Sequence, residues 1–149
     1  MTNTLEFNID KFTFRVASDR FYNEEGVWAK FDCNHVRIGI SDYLQQRSGD
    51  VAFVEIKPPG TMVTFGEEIT TIETIKVNIS LSSPVTGTVI EVNPAMETTP
   101  EAINQDPYGA GWLAVLETTE GEIHLERLLE PQAYFARLRL EAEQEAKKE

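Results

Sequence analysis

Two runs of alternating apolar and polar residues constrain this chain more than any other feature. The first is Ile69, Thr70, Thr71, Ile72, Glu73; the second is Val77, Asn78, Ile79, Ser80, Leu81, Ser82. Both are rich in β-branched residues and contain neither glycine nor proline, so each reads as a half-buried strand. Runs this close in sequence pair naturally as a hairpin, with Lys76 near the tip of the stretch Glu73-Thr74-Ile75-Lys76-Val77. The tip has no Asn-Gly or glycine-rich turn chemistry, so local sequence does not by itself dictate a tight turn. A lysine held there has its amine in water, which suits covalent loading by another enzyme. An exposed lysine also serves simply as a solvated charge that guards a strand edge. The flanking sequence has to decide between the two.

Along the rest of the chain, Phe12, Phe14 and Val16 alternate with Thr13 and Arg15 as a short strand. Residues 21–30 lead into a second strand anchored by Trp28, and Asp32-Cys33-Asn34 reads as a turn. Val36, Ile38 and Ile40 alternate with Arg37 and Gly39 as a third strand. Ser41 and Asp42 supply an N-cap and Gly49 a stop, which predicts a helix over 43–47. Residues 51–56 are apolar and β-branched until Pro58-Pro59-Gly60 breaks them, residues 61–63 begin another short strand, and Phe65-Gly66-Glu67 turns the chain into the hairpin. Val85, Gly87, Val89 and Val92 form the next strand, and its glycine unit looks like the one around Gly60. Thr99-Pro100-Glu101 starts a short helix that ends before Asp106-Pro107, and residues 112–116 are a final apolar strand. In the tail, Leu125, Leu128 and Leu129 have helical spacing, and Pro131 opens a helix carrying Ala133, Tyr134 and Leu138. Past Leu140 there is helix propensity but no apolar face, so that end is expected to fray or project. Many short strands between glycine and proline turns imply a mainly β fold, a small sandwich or flattened barrel with short peripheral helices and a C-terminal helix.

The chain's 149 residues suffice for one domain with a real core. Its 25 acidic residues against 13 basic give a net charge of −12. Such a chain repels nucleic-acid phosphates and anionic membrane surfaces, and neither is expected as a partner. No apolar run approaches the length of a membrane span and no secretory signal is visible, so a cytoplasmic protein is expected. Cys33, the one cysteine, cannot form an internal disulfide. Cys33 and His35 would share a face in a strand, but no second pair completes a zinc site and no catalytic-cysteine signature surrounds Cys33. No metal site is expected, and Cys33 is read as structural.

The chain is similar to the glycine cleavage system H proteins and related lipoyl carriers over residues 21–117. The likeness rests on Val36-Arg37-Ile38-Gly39-Ile40-Ser41-Asp42, the stretch 49–55, Glu73-Thr74-Ile75-Lys76, the stretch 83–87, Glu91-Val92-Asn93-Pro94 and the stretch 104–113 (NQDPYGAGWL), in this order and spacing. The resemblance implies a barrel-sandwich hybrid of two β-sheets with residues 21–117 as a lipoyl-carrier domain, 1–20 as an N-terminal extension and 118–149 as a C-terminal helical segment. It further implies that Lys76 carries lipoate in amide linkage and that Glu73 is read by the lipoyl-attaching enzyme. Ile75 and Val77 flank the lysine where biotinyl carriers usually have methionines, which argues for lipoate. The implied protein is a carrier without catalytic activity of its own. Its implied partners are a lipoate-attaching ligase or transferase, dihydrolipoyl dehydrogenase and the enzymes that the arm serves.

Two departures bear on which enzymes those are. H proteins of glycine cleavage typically carry a His-Glu pair before the tryptophan, where this chain has Gly26 and Val27 ahead of Trp28. They usually show Ser-Asp in the returning strand, where Ile79 and Ser80 stand here. These differences, with QQRSGDVAF, ETIKVNISL and EAINQDPYG, resemble the lipoate-binding proteins of sulfur-oxidising prokaryotes. The first expectation is therefore a swinging arm in sulfur-compound oxidation with a heterodisulfide-reductase-like complex. The alternative is an H protein carrying the aminomethyl group in glycine cleavage.

Overall fold

The computed structural model describes residues 4–119, 121 and 123–147. Its strands are β1 (Thr4–Ile9), β2 (Phe12–Ala17), β3 (Phe21–Tyr22), β4 (Val27–Asp32), β5 (His35–Ile40), β6 (Val51–Ile56), β7 (Met62–Val63), β8 (Glu68–Thr74), β9 (Asn78–Ser82), β10 (Gly87–Val92) and β11 (Ala114–Glu117). Its α-helices are α1 (Asp42–Ser48), α2 (Ala95–Thr98), α3 (Ala102–Gln105) and α4 (Pro131–Lys147), and a 3-10 turn covers Leu125–Arg127.

Two sheets enclose the main core. One is six-stranded, in the order β3-β4-β5-β11-β10-β7, and the other is three-stranded, in the order β6-β8-β9. Alternation decides which side chains meet between them. Val36, Ile38 and Ile40 of β5 and Leu116 of β11 point inward, against Val54 of β6, Ile69 and Ile72 of β8 and Leu81 of β9. Each is nearly solvent-free, and burying one aliphatic side chain contributes about 1.5–3 kcal/mol. The two similar glycine units meet: Gly87 pairs with Val63, and the Gly60 amide donates to the Val89 carbonyl at 2.7 Å. Neither sheet closes on itself into a barrel.

A third sheet was only half legible. Phe12, Phe14 and Val16 lie on β2 as expected, but β1 pairs with it to make a two-stranded hairpin. A second core holds it down, in which Phe7, Phe14, Val16, Tyr22, Trp28, Tyr43, Tyr134 and Leu138 pack together. Trp28 is fully buried and Trp112 half-buried.

Several expectations are corrected. The end of α4 does not fray: it stays helical to Lys147, Ala142 is buried in the second core, and Arg47 of α1 pairs with Glu141 and Glu145. Helical spacing at Leu125, Leu128 and Leu129 yields only the 3-10 turn, and helix α2 arises where no helix was expected. Cys33 is exposed at the β4–β5 turn with φ 55°, so it fills no core space and shares no strand face with His35.

Candidate functional site

The hairpin forms with Glu73 opposite Asn78, which leaves Thr74, Ile75, Lys76 and Val77 to turn the chain. The missing turn chemistry comes from Thr74. Its backbone N–H donates to the Val77 carbonyl at 2.8 Å, while its hydroxyl accepts the amides of Lys76 at 3.2 Å and Val77 at 2.9 Å. A threonine hydroxyl can close a turn in this way, standing in for a backbone acceptor. The same hydroxyl has one proton, and the carbonyl of Ser48 lies 2.6 Å away to receive it.

That carbonyl belongs to the end of α1. Ser41 caps the start of this helix by accepting the Leu44 amide, and Gly49 ends it at φ 90°. The last carbonyls of any helix lack partners within it. Here the hairpin tip supplies two of them, and carbonyls just past the helix are met as well. Lys76 Nζ donates to the Arg47 carbonyl at 3.2 Å, Thr74 to Ser48, and the Ile75 amide to the Asp50 carbonyl at 3.0 Å. The Gly49 carbonyl accepts Nδ2 of Asn104, on α3, at 3.0 Å. Asn104 also accepts the Val51 amide at 2.9 Å and donates to Gln45 Oε1 at 3.1 Å. A Cβ on Gly49 would stand 3.5 Å from Cβ of Lys76, so the lysine stem rests directly on the glycine turn.

Lys76 is exposed, as expected, and its amine faces the negative end of the α1 dipole. Ile75 is 79% exposed and Val77 41%, an apolar pair on either side of the lysine. Glu73 is exposed too; across the β6–β8 ladder it faces Phe53, which also stands in solvent. Beside the tip opens a groove of about 770 Å³ that Lys76 and Val77 share with Phe12 and Phe14 of β2 and Tyr43 and Leu44 of α1. The Tyr43 hydroxyl is buried without a hydrogen-bond partner among the described residues, and burial pushes its pKa up to about 12 against the pull of Arg47. An exposed primary amine on a braced turn, next to a groove that aromatic and aliphatic side chains share with Asp10, Gln46, Arg47 and Glu145, fits an amide-linked arm. Among the described residues no three or more His, Cys, Asp or Glu side chains are grouped to hold a metal ion.

A family model described as glycine cleavage H-protein matches residues 20–141. The chain belongs to the glycine cleavage H-protein family. The glycine cleavage system H protein of Thermus thermophilus is 40% identical over 128 residues, spanning 85% of this chain and 98% of the relative. The probable glycine cleavage system H protein of Thermococcus kodakarensis is 40% identical over 127 residues, spanning 85% of this chain and 94% of the relative. The crystal structure of an H protein from Mycobacterium marinum superposes with a TM-score of 0.73 at 31% identity, covering 80% of this chain and 96% of that one. This is a family of carrier proteins. Among the described residues no helix is long and apolar enough to cross a membrane.

The two departures from the family pattern are built into the packing. Val27 is fully buried in the main core. Gly26 has φ 100°, and a Cβ there would lie 2.8 Å from the Tyr134 hydroxyl. Ile79 lines the groove and Ser80 is exposed. Sequence reasoning named Lys76 and Glu73 but missed Thr74, Ser48 and Asn104. A threonine two residues before the lysine was the one local sign of the turn.

Proposed function

We propose that the chain is a lipoyl carrier of glycine cleavage, with lipoate in amide linkage to Lys76. The single observation that carries this is the exposed Lys76, held on a hairpin tip braced on the end of α1, which Asn104 of α3 holds in turn, in a chain of the H-protein family. The carrier unit is taken as residues 21–117, with 1–20 as an N-terminal extension and 118–149 as a C-terminal helical segment. Glu73, exposed three residues before the lysine, is the feature an attaching ligase or transferase reads. Loading requires the ammonium to give up its proton. Nζ then bonds to the acyl carbon of an acyl adenylate, the bond from that carbon to the phosphate oxygen breaks, and the nucleotide leaves with the electron pair.

Bound lipoate supplies a dithiolane that takes up a group or two electrons. The chain supplies the rest. Lys76 fixes where the arm starts, and the braced turn keeps that point from wandering. Tethering raises the effective concentration of the arm at each partner's site without any new contact. The partners are then the glycine cleavage enzymes and dihydrolipoyl dehydrogenase.

The sulfur-oxidation reading, first in order from the sequence, gains no support from the relatives above, and the glycine cleavage reading fits them better. Its remaining footing is the two departures, at Gly26 and Val27 and at Ile79 and Ser80, with the stretches QQRSGDVAF, ETIKVNISL and EAINQDPYG. One experiment separates the two. Protein whose load on Lys76 is verified by peptide mass spectrometry is offered to the other glycine cleavage components, and glycine-dependent reduction of the arm is followed. Reduction at the rate of an authentic H protein supports the proposal. No reduction, with the authentic protein working alongside, returns sulfur oxidation to the lead. No lipoate on Lys76 at all would remove both.

A further inference from the structure

We infer that Thr74 and Asn104 are positioning residues for the acylation of Lys76, an inference that rests on the lipoyl-carrier reading. Neither touches the lysine amine. Each acts through the same short run of backbone at the end of α1.

Four successive carbonyls, those of Arg47, Ser48, Gly49 and Asp50, each accept a hydrogen bond from outside α1, from Lys76 Nζ, Thr74 Oγ1, Asn104 Nδ2 and the Ile75 amide in turn. Three of the four donors come from the hairpin tip. The fourth comes from α3, about fifty residues away in sequence, and it fixes the turn on which the lysine stem rests. The tip therefore has no independent orientation: moving Lys76 means breaking bonds to the α1 end, and moving that end means breaking those to Asn104.

Thr74 is the joint of this arrangement because its hydroxyl is saturated. Two lone pairs take the amides of Lys76 and Val77, and the one proton has two carbonyls within reach, Ser48 at 2.6 Å and Val77 at 2.9 Å, of which Ser48 is the nearer. Valine at this position has the same shape and β-branching but leaves two amides and one carbonyl to find water. Serine keeps all three bonds. An attaching enzyme must bring an activated acyl carbon within bonding distance of Nζ, and small errors in where the stem points reduce the rate of such a step. A tip that wobbles presents the amine in many directions.

The test measures initial rates of lipoate transfer to Lys76 by a lipoate ligase with ATP, read by peptide mass spectrometry, together with hydrogen exchange of the hairpin amides. Thr74→Val removes three hydrogen bonds and is expected to slow transfer at least about tenfold, while Thr74→Ser stays within about twofold of the parent. Exchange at Lys76 and Val77 should quicken in Thr74→Val, with Ile72 and Leu81 unchanged. Asn104→Ala should also slow transfer, and combining it with Thr74→Val should add less than the product of the two effects, because both act on one loop. Transfer to Thr74→Val at the parent rate would overturn the inference. So would a Thr74→Ser variant as slow as Thr74→Val, or quickened exchange spread evenly over the chain. Absence of any transfer to the parent protein would instead count against the lipoyl-carrier reading, while the exchange data would still judge whether Thr74 holds the tip.

Discussion

The hydroxyl groups of Ser41 and Tyr134 lie 2.7 Å apart, and both residues are buried. Ser41 also caps α1 by accepting the Leu44 amide at 3.2 Å. The C-terminal helix is thereby fastened to the start of the helix whose end braces Lys76. Ser41→Ala removes the cap and strands the Tyr134 hydroxyl away from water. It should destabilise the protein by about 2 kcal/mol, against about 1 kcal/mol for Tyr134→Phe, which keeps the cap. Urea denaturation of the two variants checks the order, and equal losses would mean the cap contributes little.

The same pair bears on position 26, where Gly26 packs beneath the Tyr134 hydroxyl. With φ 100° and the Tyr134 hydroxyl 2.8 Å from any Cβ, the position is closed to side chains. Gly26→His should destabilise by about 2 kcal/mol or more, through left-handed strain and overpacking together. Pairing it with Tyr134→Phe should recover part of that loss but not the strain. A Gly26→His variant with an unchanged urea midpoint would show that α4 moves aside readily.

Alkaline unfolding should report on Tyr108. Its hydroxyl donates to the Arg15 carbonyl at 2.8 Å and accepts the Asp42 amide at 3.2 Å, and burial pushes its pKa up to about 12. The folded state thus favours the neutral phenol. Its contribution is fully present below the unfolded value of 10.0 and is lost as pH rises through about 12. Stability should stay level to pH 10 and then decline, with Tyr108 accounting for roughly 2–3 kcal/mol of the fall. Tyr108→Phe should be less stable at neutral pH yet show a shallower decline; parallel curves would sink the assignment.

Strand alternation, the Ser41 cap and the Gly49 stop made most of the β framework, helix α1 and the Lys76 hairpin legible in the sequence. They are local patterns, and local patterns survive folding when the core agrees with them. What escaped depends on distant partners. Nothing near Asn104 announces that its amide will meet the Gly49 carbonyl, and nothing near Glu141 or Glu145 announces Arg47. Strand β1 was legible but missed: Leu5, Phe7 and Ile9 alternate strictly with Glu6 and Asn8, and the aromatic core that receives Phe7 comes from distant residues. Thr74 was in plain view, but a threonine becomes a turn former only when two amides point at its hydroxyl.

Arg47 ties the last turns of α4 to α1 through Glu141 and Glu145, and all three side chains are nearly half-exposed. Solvent screens such pairs, so Arg47→Ala should change global stability by less than about 1 kcal/mol. Its effect should be local. Hydrogen exchange in the last turns of α4 should quicken several-fold while the rest of that helix, anchored by Tyr134 and Leu138, holds. Raising the salt concentration should reproduce part of this in the parent protein. If the end of α4 is equally protected in the variant, Ala142 packing alone holds it.

Lys76→Arg separates the two jobs of the lysine. A guanidinium keeps the positive charge and can still donate to the Arg47 carbonyl, so the hairpin should fold as before and the melting temperature should move by no more than one or two degrees. The guanidinium stays protonated at any pH the ligase tolerates and has no free electron pair to attack an acyl carbon. Lipoate uptake should therefore fall to nothing, with no compensating load on Lys30 or Lys57, and arm reduction by the glycine cleavage enzymes should fall with it. Lipoate found on another lysine of this variant, with activity retained, would show that the attaching enzyme reads something other than the braced tip.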